Sequence, residues 1–306
     1  MKKVLVLVGP TAVGKTSLSI ELAHRFNGEI ISGDSIQVYR GLDIGSGKVT
    51  EQEKDGIPHY GIDILDPKEK YSVADFQQVA RQAIDEISAR GKLPMIVGGT
   101  GLYVKAALYD YQFQPQDPKE ITLAQQLEKE DGEVLYRKLQ EVDPVTAEKI
   151  HPNNKRRVIR ALVIHACSDQ SKSEIESQQE HQMIYDAYIC GLTCQRELLL
   201  QRIETRVNGM IRQGLQQEIS SLLGQGVTFS DQSMQGIGYK EWKALFEQGA
   251  SVEEVTQLIM KNTRQFSRRQ MTWFNHQTPV HWLEIDKQGD RERVIEEISQ
   301  WLKEEN

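Results

Sequence analysis

The chain has 306 residues, 39% hydrophobic and 26% charged, enough apolar material for one large α/β domain with an insertion or for two domains without covalent staples. Its formal net charge of −7 counts, as a sum, against a nucleic-acid partner. Cys167, Cys190 and Cys194 make neither a disulfide framework nor a zinc quartet. In chain order, Val4 to Val8 reads as a buried parallel strand, and Ser17 to Ala23 reads as a helix. Between them lies Gly9-Pro10-Thr11-Ala12-Val13-Gly14-Lys15-Thr16, a full G-x-x-x-x-G-K-[ST] phosphate-binding loop in the strand–loop–helix setting it requires. Glycines let such a backbone wrap round phosphate oxygens, while the amides and the helix N-terminus face the anion. Lys15 would reach the outer phosphate and Thr16 would ligate Mg²⁺. The loop therefore specifies a diphosphate or longer with magnesium, and not ATP in particular.

Glu29 to Ser32 reads as a second strand. Tyr71 to Arg90 has helical spacing, capped by Ser72 with Asp75 three residues on, and Gly91 to Pro94 ends it. Met95 to Val97 is a third buried strand, ending in Gly98-Gly99-Thr100-Gly101. Strands alternating with helices predict a parallel sheet with ligands at its carboxyl ends, so Gly9–Thr16, Gly33–Ser35 and Gly98–Gly101 are expected to converge. From about Tyr111 the character changes: 112–118 reads as a linker, and the residues to about Asp186 are polar and helical. Tyr188 to Leu192 returns as a core strand. The span from Gln201 to Leu223 has helical spacing, and Val294 to Leu302 makes a C-terminal amphipathic helix. The expected fold is α/β: a P-loop-type parallel sheet flanked by helices, with a helical insertion domain. The core is assigned to 1–112 and 187–306 and the insertion to 113–186. The apolar run after Met1-Lys2-Lys3 is too short for a secretory leader, and no stretch approaches a membrane span. A cytoplasmic protein in a reducing compartment is expected.

Asp34 follows the second strand. Were that strand adjacent to the first, its carboxylate would lie within reach of the loop's ligand, as a general base, as an acid behind the magnesium, or as a helix cap. No acid follows Val97, where P-loop NTPases hold metal against a γ-phosphate, so a nucleotide-driven motor is not expected. Gly98 and Gly99 allow close backbone approach, and Thr100 offers a hydroxyl. Arg202 and Arg206 share one helix flank, either as a solvated face or as a pair closing over a leaving diphosphate; Arg157 and Arg160 also have lid-like spacing. Two basic clusters stand out against the acidic total: Lys155-Arg156-Arg157 with Arg160, and Lys261, Arg264, Arg268 and Arg269. Met271-Thr272-Trp273-Phe274 follows the second, and suits either unpaired RNA bases or a buried aromatic anchor.

Together these stretches resemble the tRNA dimethylallyltransferase (tRNA isopentenyltransferase) family over nearly the whole chain. The resemblance is carried by the Gly-Pro-Thr loop start, Asp34-Ser35-Ile36-Gln37-Val38-Tyr39 and Val97 to Tyr103. His151-Pro152-Asn153 with Arg156 to Leu162, Gly236-Ile237-Gly238-Tyr239-Lys240 and Thr263 to Phe274 complete it. Two stretches depart: Gly45-Ser46-Gly47-Lys48-Val49 stands where the family usually has Gly-Thr-Ala-Lys-Pro, and Pro58-His59-Tyr60 where it usually has Pro-His-His. The resemblance implies transfer of a dimethylallyl group from dimethylallyl diphosphate to N6 of adenosine 37 of tRNA, just 3′ of the anticodon. It assigns catalysis to Asp34 as base with Lys15, Thr100 and Arg206, the last preferred over Arg202. Diphosphate binding falls to Gly9 through Thr16, with Mg²⁺ on Thr16. RNA contact falls to Asp34, Ser35, Ile36 and Gln37, to Arg156, Arg157, Val158, Ile159 and Arg160, to Gly236, Tyr239 and Lys240, and to Arg264, Arg268 and Arg269. No membrane partner is implied, and a monomer is expected.

Overall fold

The computed structural model describes residues 1–113, 118–168, 171–174 and 182–304. Residues 114–117 of the expected linker, and 169–170 and 175–181 of the expected insertion, lie outside the described residues. The chain divides into two units, Met1–Tyr109 with Met183–Asn306, and Asp110–Gln182. The second unit thus starts and stops a few residues before the expected 113–186. The reason is local: Tyr109 pairs with Met183 in an antiparallel bridge, and the strand expected at Tyr188 already begins at Asp186, so both neck segments belong to the first unit.

The first unit is built on a six-stranded parallel sheet: β1 (Lys3–Val8), β2 (Gly28–Ser32), β3 (His59–Tyr60), β4 (Leu93–Gly98), β5 (Asp186–Thr193) and β6 (His281–Glu284), in the order β3-β2-β4-β1-β5-β6. Strand β1 lies at the centre, with Leu5 opposite Met95 on one side and Tyr188 on the other. Val4 to Val8 are all fully buried, each contributing about 1.5–3 kcal/mol of burial free energy. Side chains alternate across the sheet. Val4, Val6 and Val8 join Ile31, Ile96 and Ile189 in one apolar cluster, and Leu5 and Leu7 join Ile30, Met95 and Cys190 in another.

Helix α1 (Lys15–Phe26) covers the second of these faces, through Leu18, Leu22 and Ala23. The short α2 (Glu51–Lys54) precedes β3. Helices α3 (Val73–Ala89) and α4 (Gly101–Leu108) cover the first face, through Phe76, Ile84, Ile87 and Val104. Ser72 caps α3 in a reciprocal box with Asp75, as its spacing predicts. The second unit contains α5 (Pro118–Leu127), α6 (Gly132–Val142), α7 (Pro144–Lys149) and α8 (Lys155–Cys167) around Leu135, Leu139, Val158 and Leu162. Asp131, Asp143 and Asn154 cap α6, α7 and α8 by accepting from first-turn amides.

The helical span expected at 201–223 is two helices, α9 (Arg196–Arg212) and α10 (Leu215–Gly224). Gly214 separates them at φ +98°, a left-handed conformation that interrupts the hydrogen-bond ladder. Helix α11 (Lys243–Gln248) follows, then the 26-residue α12 (Val252–Gln277) on the first sheet face. Finally α13 (Asp290–Lys303) docks Val294, Ile295, Ile298 and Trp301 beside α1 on the second face. No described helix is long and apolar enough to cross a membrane.

Candidate active site

The exits of β1, β2 and β4 open onto a cavity of about 1320 Å³ whose walls include Lys15, Thr16, Asp34, Thr100, Arg202 and Arg206. Strand β2 is not adjacent to β1, because β4 lies between them. Asp34 still reaches the cavity because the exits of β2 and β4 are drawn together. The Gly33 amide donates to the Val97 carbonyl at 2.8 Å, and a Cβ on Gly98 would overlap the Gly33 backbone. Helices α1, after the phosphate loop, and α4, after Thr100, both begin at the rim, and the first-turn amides of a helix have no acceptor within it. Thr100 is the cap residue of α4 but makes no side-chain capping bond.

Three cations on this cavity, Lys15, Arg202 and Arg206, rest on carbonyl oxygens. Lys15 Nζ donates to the carbonyls of Gly9 at 2.9 Å and Pro10 at 2.8 Å. Arg202 Nη1 donates to Val13 O at 2.9 Å, and Arg206 Nη2 to Ser46 O at 3.2 Å. Among the described residues none of the three has a carboxylate partner within ion-pair distance, whereas cations elsewhere do. Lys48 pairs with Asp43 and Asp63, and Arg90 and Lys92 pair with buried Glu29. Burial, with the Arg206 charge adding to it, lowers the Lys15 ammonium to about 7, against the opposing pull of Asp34. Burial likewise lowers the Arg206 guanidinium. A polyanion entering here relieves mutual repulsion and replaces lost hydration in one step.

Asp34 Oδ1 accepts from the amides of Ile36 at 2.8 Å and Gln37 at 3.2 Å. This turn fixes the carboxylate and leaves Oδ2 without a hydrogen-bond partner among the described residues. Gln37 is held by Ser32, whose hydroxyl donates to its Oε1 at 3.0 Å. Gly45, Ser46 and Gly47 of the departing stretch also line the cavity. Gly47 takes φ +59°, and a Cβ there would overlap the Arg206 guanidinium, so this glycine lets the arginine lie against the loop. Glu218 anchors the loop from α10, its carboxylate accepting from the amides of Asp43, Ile44 and Gly45. Nothing in the motif reading pointed to Glu218, because its partners are far away in sequence.

The family model described as "IPP transferase" matches residues 37–277, and that described as "Isopentenyl transferase" matches residues 2–62. The chain is 50% identical over 303 residues to the tRNA dimethylallyltransferase of Bacillus mycoides, covering 96% of this chain and 95% of the relative. It is 48% identical over 301 residues to that of Anoxybacillus flavithermus, at 98% and 96% coverage. Among solved structures, the tRNA isopentenylpyrophosphate transferase of Bacillus halodurans is 40% identical with a TM-score of 0.75, covering 99% of this chain and 97% of the other. A eukaryotic dimethylallyltransferase acting on tRNA is 31% identical with a TM-score of 0.83, at 98% and 80%. The chain belongs to the IPP transferase family.

For a member of this family the cavity gathers most of the residues singled out in the sequence. Thr11, Ala12, Gly14, Lys15, Thr16, Asp34, Ser35, Ile36, Gln37 and Thr100 all line it, with Gly236, Lys240 and Arg269. Arg202 and Arg206 both do so, and the solvated-face reading of that pair gives way. Three of the residues expected to contact RNA have buried side chains. Tyr239 is fully buried, its hydroxyl donating to Glu218 at 2.8 Å and accepting from the Ser46 amide at 3.0 Å. Val158 and Ile159 are buried in the second unit's core, while Arg156, Arg157 and Arg160 on the same helix are exposed. Arg160 is paired with Glu120 at 2.6 Å. In the first unit Arg268 and Arg269 are exposed and Arg264 is half-buried. A shallower groove of about 380 Å³ is lined by Arg268, Arg269, Thr272, Trp273, His276 and Gln277. Phe274 is a buried anchor, and Trp273 meets it edge-on with ring centroids 5.0 Å apart. Among the described residues no three His, Cys, Asp or Glu side chains cluster as a metal site.

Proposed function

We propose that this chain transfers the dimethylallyl group of dimethylallyl diphosphate to N6 of adenosine 37 in tRNA, releasing diphosphate. Membership of a family whose named relatives are tRNA dimethylallyltransferases supports the reaction. The observation that carries the donor assignment is that Lys15, Arg202 and Arg206, with no carboxylate partner among the described residues, stand around a phosphate loop with Asp34 on the same cavity. As the allylic C–O bond breaks, the departing oxygen gathers negative charge. Lys15, the loop amides, the Thr100 hydroxyl and Arg206 with Arg202 are the groups available to stabilise it. The incoming amine is a weak nucleophile because its lone pair is delocalised into the adenine ring. Asp34 takes one N6 proton as the C–N bond forms. The target base must leave its stack to reach the cavity, at a cost of a few kcal/mol.

The residues present fit one magnesium ion. Thr16 borders the cavity, and an ion held by one hydroxyl, diphosphate oxygens and water needs no carboxylate cage. When bound, it would neutralise part of the diphosphate charge. The free thiols Cys167, Cys190 and Cys194 suit a reducing compartment, and we assign a cytoplasmic monomer.

The test is labelled dimethylallyl diphosphate with unmodified total tRNA, followed by nucleoside analysis. Label in N6-isopentenyladenosine is the expected result; no transfer, with label moving instead from γ-labelled ATP, would refute it. RNA docking has its own test. Replacing Arg268 and Arg269 with glutamine should raise the tRNA Kd and flatten its logarithmic salt dependence by about 1 per lost phosphate contact. Turnover at saturating tRNA should stay near wild type.

A further inference from the structure

Gln270 lies on α12 and is buried, and no part of the proposed chemistry uses it. Its carboxamide is engaged at both ends. Oε1 accepts from the Thr11 amide at 3.0 Å, and Nε2 donates to the Gly99 carbonyl at 3.0 Å. One side chain thus joins the phosphate loop leaving β1 to the turn leaving β4. The turn is shaped to receive it. A Cβ on Gly99 would overlap Gln270 Nε2, and a Cβ on Gly101 would overlap the Trp273 ring. Thr100 stands between these two glycines, so both its neighbours lie directly beneath side chains of one helix. Arg269, next to Gln270, borders both the reaction cavity and the outer groove.

We infer that Gln270 is a positioning residue for the transfer, setting the separation between the phosphate loop and the Thr100 hydroxyl so that both hold the same diphosphate. The Thr11 amide is spent on this bond, so its contribution is to fix the path of the loop. Gly99 and Gly101 supply the space that lets α12 seat against the turn. The inference rests on the proposed reaction, and its test separates the two.

Two variants read it. Gln270→Met removes both hydrogen bonds at similar length. Its kcat should fall about 10²-fold, the scale of an ångström-sized misplacement, with the tRNA KM near wild type. Gln270→Glu keeps an acceptor for Thr11 but donates to the Gly99 carbonyl only when protonated. Its turnover relative to wild type should therefore recover on acidification and fall as pH rises. Among the described residues the other charged groups on the cavity are Lys15, Asp34, Glu53, Asp55, Arg202, Arg206, Lys240 and Arg269. Both proteins share them, so the ratio isolates residue 270. Should Gln270→Met fail to fold by thermal melt, the pH ratio of Gln270→Glu decides alone. Wild-type kcat in Gln270→Met, or a pH-independent ratio, overturns the inference. Wild-type protein that transfers no prenyl group would refute the reaction instead. Inorganic diphosphate binding then judges Gln270: about tenfold weaker affinity in Gln270→Met supports it, as a 1.4 kcal/mol loss would give, and unchanged affinity overturns it.

Discussion

Replacing Asp34 with asparagine is expected to lower kcat by about 10²–10⁴-fold while leaving tRNA affinity close to wild type, because only the proton acceptor is lost. Asparagine is the informative choice. Asp34 Oδ1 holds the Ile36 and Gln37 amides, and an amide oxygen can accept both bonds in its place. Alanine would remove the base and loosen the turn together. The magnitudes still separate the two effects. Two lost turn bonds cost about 1 kcal/mol each, whereas loss of the base costs about 2.7–5.5 kcal/mol of barrier. If Asp34→Ala and Asp34→Asn lose turnover alike, the carboxylate acts chemically. If asparagine restores turnover, Asp34 serves only to shape the 34–37 turn. Single-turnover kinetics with tRNA bound in advance measures the chemical step directly, and a wild-type rate for Asp34→Asn would remove the base from the mechanism.

The parts legible in the sequence are those whose information is local. The phosphate loop declares itself through its glycines and lysine, and the central strand through an unbroken apolar run. Ser72 with Asp75 marks a helix start within four positions. Strand order is not local. Nothing in Gly28–Ser32 says that β4 will stand between it and β1, and Asp34 reaches the cavity through the Gly33–Gly98 approach instead. The burial of Tyr239 is not local either: its hydroxyl meets Glu218 on a separate helix. Val158 and Ile159 were readable: arginines at 156, 157 and 160 occupy one side of a 3.6-residue helix, which places 158 and 159 on the other. Gln270 carries no signal of its own. A glutamine in a helix becomes informative only when its two partners, Thr11 and Gly99, are seen beside it.

Diphosphate binding should weaken as pH rises above neutrality, and Lys15 should be the cause. Its ammonium is lowered to about 7 by burial and by Arg206, so near pH 6 most molecules carry the charge and near pH 9 most do not. An arriving diphosphate favours the charged form, so binding above pH 7 must take up a proton. The wild-type Kd for inorganic diphosphate should rise by up to about tenfold per pH unit there, and level off below about pH 6. Diphosphate titrates too, so the comparison is with Lys15→Ala, in which that contribution is the same. The variant should bind more weakly throughout, and the ratio of the two Kd values should shrink as pH rises because wild type progressively loses what the variant never had. Calorimetry in buffers of different ionisation heat counts protons directly, and wild type should take up more protons on binding than Lys15→Ala at about pH 8. A Kd ratio constant from about pH 6 to about pH 9 would mean that Lys15 stays charged with the cavity empty. The carbonyls of Gly9 and Pro10 would then outweigh burial, and Lys15 would meet its ligand already protonated.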